Sequence, residues 1–164
     1  DREQWIFGYV GERVGSGRLQ VASEVVVEFK NFEEWVKQVP QSIKSDPLWD
    51  FKTYQNALFL ADLVWFDCDK LFADQRGKGI ARQIIDSAGS IAANIEEGFG
   101  RGYGKDYARF LKISLGSARE TRGWYYRGRH VFEPELLQHR YRLADEIIAN
   151  LIVVINQQVW WKKD

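Results

Sequence analysis

The sequence predicts a mainly α protein: an antiparallel four-helix bundle with a small β-containing N-terminal extension. Two observations lead to this fold class. Residues 50–160 contain four long segments in which apolar residues recur at helical spacing, and only short breaks separate them. Residues 1–46 lack that periodicity and are rich in glycine and β-branched residues. Because short connections make consecutive helices antiparallel neighbours, we predict an extension over 1–46 and a bundle over 47–164.

The extension is predicted to contain two short strands. Residues 5–10 (WIFGYV) and 19–29 (LQVASEVVVEF) are rich in residue types that favour strands. The glycines of GERVGSG, at 11–17, are compatible with a hairpin turn or a phosphate-binding loop. A phosphate-binding loop has Lys-Ser or Lys-Thr after its last glycine, and neither follows here, so a hairpin turn is favoured. Since two strands alone are marginally stable, we expect the extension to pack against another surface.

A short helix is predicted after the second strand. Asn31 and Glu34 have the spacing of a capping box, in which side chains satisfy the free backbone N–H groups of a first helical turn. This spacing predicts a helix over 32–39. Pro40 and Pro47 enclose the polar stretch QSIKSD, which we expect to be a linker between the extension and the bundle.

Four segments have the periodicity of amphipathic helices. Their apolar residues recur every three or four positions, and glycine or proline residues separate several of the segments. The predicted helices span 50–72, 80–99, 105–130 and 134 to about 160. The third and fourth are joined at Glu133-Pro134, where proline suits the first turn of a helix.

The last predicted helix is apolar around much of its circumference. Its two apolar sides consist of Leu143, Ile147, Leu151 and Val154, and of Ala144, Ile148, Ile152 and Ile155. A helix of this kind is normally buried on two sides. In a four-helix monomer one face should remain in water, so the width of this surface indicates a contact between subunits. We therefore expect a homo-oligomer.

The charges of the chain are balanced overall but unevenly placed. The 23 basic residues equal the 23 acidic ones. Between Arg101 and Arg142, however, ten Lys and Arg residues face four Asp and Glu residues, a local excess of six positive charges. A local excess of this size is what attracts a polyanion. No apolar stretch is long enough to span a bilayer, and we expect no signal peptide. Because Cys68 is the only cysteine, we expect a reducing, cytoplasmic setting.

The sequence gives little support for an enzyme, a cofactor or a metal site. Glu96 and Glu97 are adjacent, so on a helix they diverge by about 100°; a salt bridge to a neighbouring arginine is favoured over catalysis. His130 and His139 lie nine residues apart, without the closer spacing of a helical metal-binding pair. Cys68 is the only cysteine, which excludes an intrachain disulfide and a cysteine metal cluster.

A series of basic residues at helical spacing is the main candidate functional feature. The candidate nucleic-acid-binding residues are Arg101, Lys105, Arg109, Lys112, Arg119, Arg122, Arg127 and Arg129. On a helix the first four run down one face, and the next two lie close to its continuation. Arginine and lysine at such spacing can neutralise successive phosphates.

Nearby aromatic residues offer rings on which unpaired bases can stack. They are Phe99, Tyr103 and the cluster Trp124-Tyr125-Tyr126. The alternative is a solvated helix face whose arginines pair with aspartates of neighbouring helices, namely Asp62, Asp67, Asp69 or Asp145. The sequence leaves both interpretations open.

Residues 87–117 carry a resemblance to a known family. The segments SIAANIEEGFGR and YARFLKISLGSARE are similar to the four-helix-bundle proteins encoded in 23S rRNA intervening sequences. The same fold family includes the accessory variability determinant proteins of diversity-generating retroelements. The opening WDFKTYQNALFLADLVW, at 49–65, resembles the first helix of that family, and the resemblance covers roughly 48–158. Ala92 departs from it, since proline is common there, and residues 1–46 have no counterpart.

The resemblance implies an antiparallel bundle that assembles into a ring-like homopentamer without known enzymatic activity. For the accessory proteins it also implies a basic surface that binds nucleic acid and a reverse transcriptase.

Two functions from different classes follow. The favoured one is a non-enzymatic accessory protein that binds RNA or DNA through the basic helix face. The alternative is a protein-interaction scaffold that docks a partner through the N-terminal extension and the last helix.

Overall fold

The computed structural model describes residues 31–160, and the regular elements of this part of the chain are all helical. The predicted mainly helical fold is therefore confirmed here. The two predicted strands, at 5–10 and 19–29, lie outside the described residues. The helices are α1 (Phe32–Gln38), α2 (Gln41–Lys44), α3 (Lys52–Ala73), α4 (Gly77–Gly100), α5 (Lys105–Arg127) and α6 (Pro134–Trp160), with short 3₁₀ turns at Pro47–Asp50 and Arg129–Val131.

The four long helices α3 to α6 pack as an antiparallel bundle. The Tyr54 hydroxyl, at the start of α3, donates to Glu96 near the end of α4 (2.8 Å). The backbone N–H of Gly104, just before α5, donates to the Gln158 side chain near the end of α6 (3.0 Å). In both cases the start of one helix meets the end of another. Each helix contributes fully buried apolar side chains to a single core, including Leu60, Leu63, Ile84, Ile91, Ile95, Leu111, Ile147 and Leu151.

The wide apolar surface of α6 is explained within one chain. The helix packs against α5 and also against α3. Ala144 and Ile148, on the side expected to contact another subunit, are buried in the bundle. Only Ile152 (37% exposed) and Val153 (54% exposed) remain large exposed apolar side chains in the described part of α6. The width of the surface therefore does not require a subunit contact, and the homo-oligomer stays a prediction.

Helix α1 packs on α3. The Asn31 side chain accepts from the N–H of Glu34 (2.9 Å), so the predicted N-cap is present. The Trp35 ring is buried, its indole N–H donates to Asp62 (2.6 Å), and it lies 5.3 Å, centroid to centroid, from the ring of Phe59. An indole packed in this way fixes α1 against the bundle by both apolar burial and a charge-assisted hydrogen bond.

The stretch between Pro40 and Pro47, expected to be a linker, contains the short helix α2 (Gln41–Lys44). The carbonyl of Pro40 accepts from the N–H groups of Ile43 and Lys44 and so begins α2. Pro47 occupies the first turn of the following 3₁₀ segment, where the Asp46 side chain accepts from the N–H of Leu48 (2.8 Å). Proline has no N–H to leave unsatisfied at a helix start, and so both prolines begin helical turns rather than end them.

A buried ion pair links α3 to α6. Arg140 is 2% exposed, and its guanidinium donates to both carboxylate oxygens of Asp67, at 2.7 and 3.0 Å. The Tyr125 hydroxyl of α5 donates to the same carboxylate (2.6 Å). Burial and the nearby Asp67 charge raise the pKa of Tyr125 well above its ordinary value, so the phenol is a donor at neutral pH. Three helices are thus joined through one carboxylate.

None of the helices described between residues 31 and 160 is long and apolar enough to cross a membrane.

Candidate nucleic-acid interface

Helix α5 has one buried face and one basic face. Its apolar residues recur at helical spacing and pack inward, among them Tyr107, Phe110, Leu111, Ala118 and Tyr125. The opposite face carries Lys105, Arg109, Lys112, Arg119 and Arg127, all of them exposed. We call these five residues the basic stripe. Their steps of three, four, seven and eight residues keep them within a narrow sector of the helix.

The other three predicted site residues lie beside the stripe. Arg101 precedes α5, in the turn that follows α4. Arg122 is half-buried on the side of α5 that faces α6, where it pairs with Asp145 at 2.5 Å. Arg129 lies beyond the end of α5, in the 3₁₀ turn. The structure therefore separates a straight row of five cations from three flanking ones.

The turn before α5 is held by glycine and by α6. Gly102 and Gly104 have φ angles of 93° and 83°, a backbone region that glycine adopts without strain. The hydrogen bond from Gly104 to Gln158 anchors this turn to the end of α6. Tyr103, between the two glycines, is 77% exposed. The turn thus presents an aromatic side chain next to the first cation of the stripe.

Most cations of the stripe have no ion pair within the described residues. The exception is Arg109, which pairs with Asp106 one turn earlier (3.3 Å). No carboxylate of residues 31–158 forms an ion pair with the other four, which are Lys105, Lys112, Arg119 and Arg127. The alternative interpretation was that aspartates of neighbouring helices pair with the arginines. Arg122 has such a partner in Asp145, but within residues 31–158 these four cations do not.

Several arginines lie against aromatic rings. The guanidinium carbon of Arg109, on α5, is 4.4 Å from the centroid of the Phe110 ring. That of Arg101, in the turn before α5, is 4.9 Å from the same centroid. Arg127 lies 4.6 Å from the Trp124 ring. Such contacts restrict the side chains while leaving guanidinium N–H groups free to donate to an anion.

The aromatic residues proposed for stacking differ widely in exposure. Tyr125 is fully buried and bonded to Asp67, so the inclusion of this residue in a surface cluster was wrong. Trp124 is half-buried, and its indole N–H donates to Glu120 (3.2 Å). Tyr126 is 58% exposed and Phe99 is 37% exposed. Among the residues predicted to stack, Tyr103 and Tyr126 therefore have the most accessible rings.

The adjacent glutamates of α4 have separate structural partners. Glu97 pairs with Arg101, as the sequence predicted. Glu96 accepts a hydrogen bond from Tyr54. Burial first, and then this hydrogen bond and the Glu96 charge, raise the pKa of Tyr54 above its ordinary value. The two carboxylates therefore act in different contacts and do not form a pair.

Two further reactive side chains, those of His139 and Cys68, also make structural contacts. The unprotonated Nδ1 of His139 accepts from Arg140 (2.8 Å), and burial, followed by the charges of Arg140 and Arg142, lowers the pKa of His139 to about 4. Burial raises the pKa of the Cys68 thiol to about 12, which disfavours the nucleophilic thiolate at neutral pH. Within residues 31–160, no group of three or more His, Cys, Asp or Glu side chains is placed to hold a metal ion.

The fold and the basic stripe together define a small helical-bundle protein with one positively charged helix face. Residues 49–152 match the model of the family described as 23S rRNA-intervening sequence protein. This match covers more than half of the chain, and the chain belongs to that family, as the resemblance predicted. No curated protein matches the chain.

A solved structure supports the same fold. A protein of unknown function from the S23 ribosomal protein family of Bacteroides thetaiotaomicron VPI-5482 is similar to this chain with a TM-score of 0.57 and 26% sequence identity. The similarity covers 63% of this chain and 97% of that one. The shared part is therefore nearly the whole of the Bacteroides protein.

Proposed function

We propose that this protein is a non-enzymatic accessory protein that binds RNA or DNA through the basic stripe. The observation that carries the proposal is the row of exposed cations on α5, in which Lys105, Lys112 and Arg119 lack an ion pair within the described residues. Unpaired cations are free to replace the counterions of a phosphate backbone. Binding of this kind is largely independent of base sequence.

The position of the charges supports a polyanion as the ligand. The chain as a whole is neutral, so binding cannot rely on its net charge. The local excess of positive charge is concentrated along α5, a helix of 23 residues that extends for about 34 Å. A linear polymer with regularly spaced charges can contact such a row along its length, whereas a small anion contacts only one or two of these cations.

Replacing both Lys112 and Arg119 with glutamate tests the proposal. We expect the affinity for labelled RNA and DNA to fall about 10- to 100-fold at low salt, because two phosphate contacts become repulsive. We also expect the slope of log affinity against log salt to decrease by about 2. Fluorescence anisotropy over a salt series measures both quantities.

A matched variant controls for the change in net charge. Lys78 and Arg82 are exposed on α4, and their replacement by glutamate changes the charge of the protein by the same amount. We expect this variant to keep most of the affinity. Equal losses in the two variants, or no binding by the unaltered protein at low salt, would contradict the proposal.

We also propose that the protein works as a homo-oligomer, and specifically as a pentamer. The family resemblance implies this assembly. The exposed Ile152 and Val153 on α6 and Trp65 and Phe72 on α3 are apolar surfaces that a second copy can cover. Light scattering is expected to give a mass of five times 19.1 kDa. A mass of one chain at micromolar concentration would contradict the proposal.

The second candidate function is a protein-interaction scaffold, for which the resemblance implies a reverse transcriptase as partner. One observation favours it. Trp65 is 68% exposed at a groove of about 470 Å³ between α3 and the segment that contains α1 and α2. Most of the groove's lining is apolar and includes Val39, Ile43 and Leu58. An exposed tryptophan at the edge of an apolar groove is typical of a contact surface. Residues 35–43 of this groove belong to the predicted N-terminal extension, whereas α6, the other predicted docking surface, does not line it.

A further inference from the structure

A cleft of about 440 Å³ lies between α5 and α6 at the end of the basic stripe. Its lining comprises Arg119, Arg122, Gly123 and Tyr126 of α5, together with Tyr141 and Asp145 of α6. Gly123 leaves part of the surface of the cleft without a side chain.

The cleft combines an accessible ring with cationic groups. Tyr126 is 58% exposed, although the Arg129 guanidinium carbon lies 4.3 Å from the centroid of its ring. Arg129 also donates to the backbone carbonyl of Tyr126 (2.9 Å), which holds the guanidinium in place. One face of the ring is thereby supported, while more than half of the side chain stays open to a ligand.

The charge of the cleft is positive despite its one carboxylate. Asp145 is paired with Arg122, and this contact uses Nη1 of the guanidinium. A guanidinium carries five N–H donors, so Arg122 can still donate to a further anion. Arg119 has no ion pair within the described residues. Both arginines are thus available to phosphate oxygens beside the Tyr126 ring.

We infer that this cleft holds one unstacked base of a single-stranded nucleic acid, with the base on the Tyr126 ring and its flanking phosphates on Arg119 and Arg122. The inference rests on the proposed function and adds to its phosphate contacts a base contact that only a single strand can make. In a duplex each base is covered on both faces by its neighbours, so a duplex offers phosphates and base edges but no free base face for a ring to stack on. In a single strand a base can turn out and stack on an aromatic side chain.

The variant Tyr126→Ala tests the inference. We expect affinity for a single strand of about twelve nucleotides to fall about 5- to 100-fold, the effect of losing one stacked base. Affinity for a duplex, and for an abasic strand with the same phosphates, is expected to stay within about twofold, because these ligands have no base to stack. The variant Tyr126→Phe keeps the ring and is expected to bind like the unaltered protein. RNA and DNA strands are measured in parallel, and both should show the loss, since stacking uses the base and not the sugar.

A second variant adds a bulky side chain at the lining residue Gly123 and keeps every charge. A Cβ atom at Gly123 would lie 2.8 Å from Nη1 of Arg127, the end of a flexible side chain that can move away. We expect Gly123→Leu to weaken single-strand binding more than duplex binding, since the duplex loses at most the contact of the displaced Arg127. Thermal unfolding of each variant establishes that the bundle is intact.

The outcomes separate the inference from the proposed function. If the unaltered protein binds no nucleic acid at low salt, both are overturned. If it binds single strands, abasic strands and duplexes equally, and Tyr126→Ala changes none of these affinities, the inference is overturned and the proposed function stands. A selective loss of single-strand affinity in Tyr126→Ala and Gly123→Leu supports the inference.

Discussion

Replacing Asp67 with leucine is expected to lower the free energy of unfolding by about 3–5 kcal/mol. The substitution leaves the guanidinium of Arg140 without its carboxylate, although that side chain is only 2% exposed. A buried charge without a counterion cannot recover its hydration inside the bundle. The Tyr125 hydroxyl loses its acceptor in the same step. Urea unfolding followed by circular dichroism measures the change.

Two further variants show that the loss comes from the unpaired charge. In Asp67→Leu/Arg140→Met both charged groups are replaced by apolar ones, and we expect most of the lost stability to return. Breaking the partly exposed pair of Arg122 and Asp145, by Arg122→Ala, is expected to cost less than about 1 kcal/mol. If the double variant were as unstable as Asp67→Leu, the loss would stem from altered packing or from the buried Tyr125 hydroxyl that has lost its acceptor, and not from the unpaired charge.

The variant Gly98→Ala is expected to lower the free energy of unfolding by about 1–2 kcal/mol. A Cβ atom at this position would lie 2.8 Å from Cβ of Phe110 and 2.9 Å from Cδ2 of Tyr107, both on α5. Because a Cβ atom cannot rotate away from its own backbone, α4 and α5 must separate. Such overpacking costs about 1–3 kcal/mol, and the better helix propensity of alanine offsets about 0.5–1 kcal/mol of it.

The variant Gly89→Ala is the matched control on the same helix. No heavy atom lies within 4 Å of a Cβ atom built at Gly89, so only the helix propensity changes. We expect this variant to raise the free energy of unfolding by about 0.5–1 kcal/mol. Thermal and urea unfolding of both variants should therefore shift in opposite directions, and shifts of the same sign would refute the close approach of α4 and α5 at Gly98.

The long helices were predictable because their periodicity is strong. The apolar residues of 50–72 and 105–130 recur on one face, and the structure places α3 and α5 there. The start of α4 was predicted less accurately, at residue 80 instead of Gly77, because Gly77 and Gly79 were interpreted as a break between two helices. Gly77 instead begins the helix against the backbone of Leu71, where a Cβ atom would lie 2.2 Å from the carbonyl oxygen.

The buried ion pair was not predictable from residue spacing alone. Asp67 and Arg140 are 73 positions apart, so their pairing depends on how α3 and α6 are packed. A weaker signal was present, because each of these charged residues interrupts the apolar face of its own helix. A charge on an apolar face needs a partner of opposite sign, and these two helices supply one each.

The sequence predicted which cations form the candidate interface, but not which of them face a neighbouring helix or how exposed the nearby aromatic rings are. Helical spacing assigned Lys105, Arg109 and Lys112 to one face, and the structure places these residues on the exposed side of α5. Spacing could not show that Arg122 faces Asp145, or that Tyr125 is buried while Tyr126 is exposed. These distinctions depend on the neighbouring helix, which a pattern within one helix does not record.

The length of α5 sets the size of the ligand that the basic stripe can contact. Lys105 and Arg127 are at opposite ends of the helix, about 33 Å apart along its axis. This distance equals the rise of about ten base pairs of duplex. For the proposed interface, one protein chain would thus occupy about one turn of a duplex, and shorter fragments would leave the outermost cations unused.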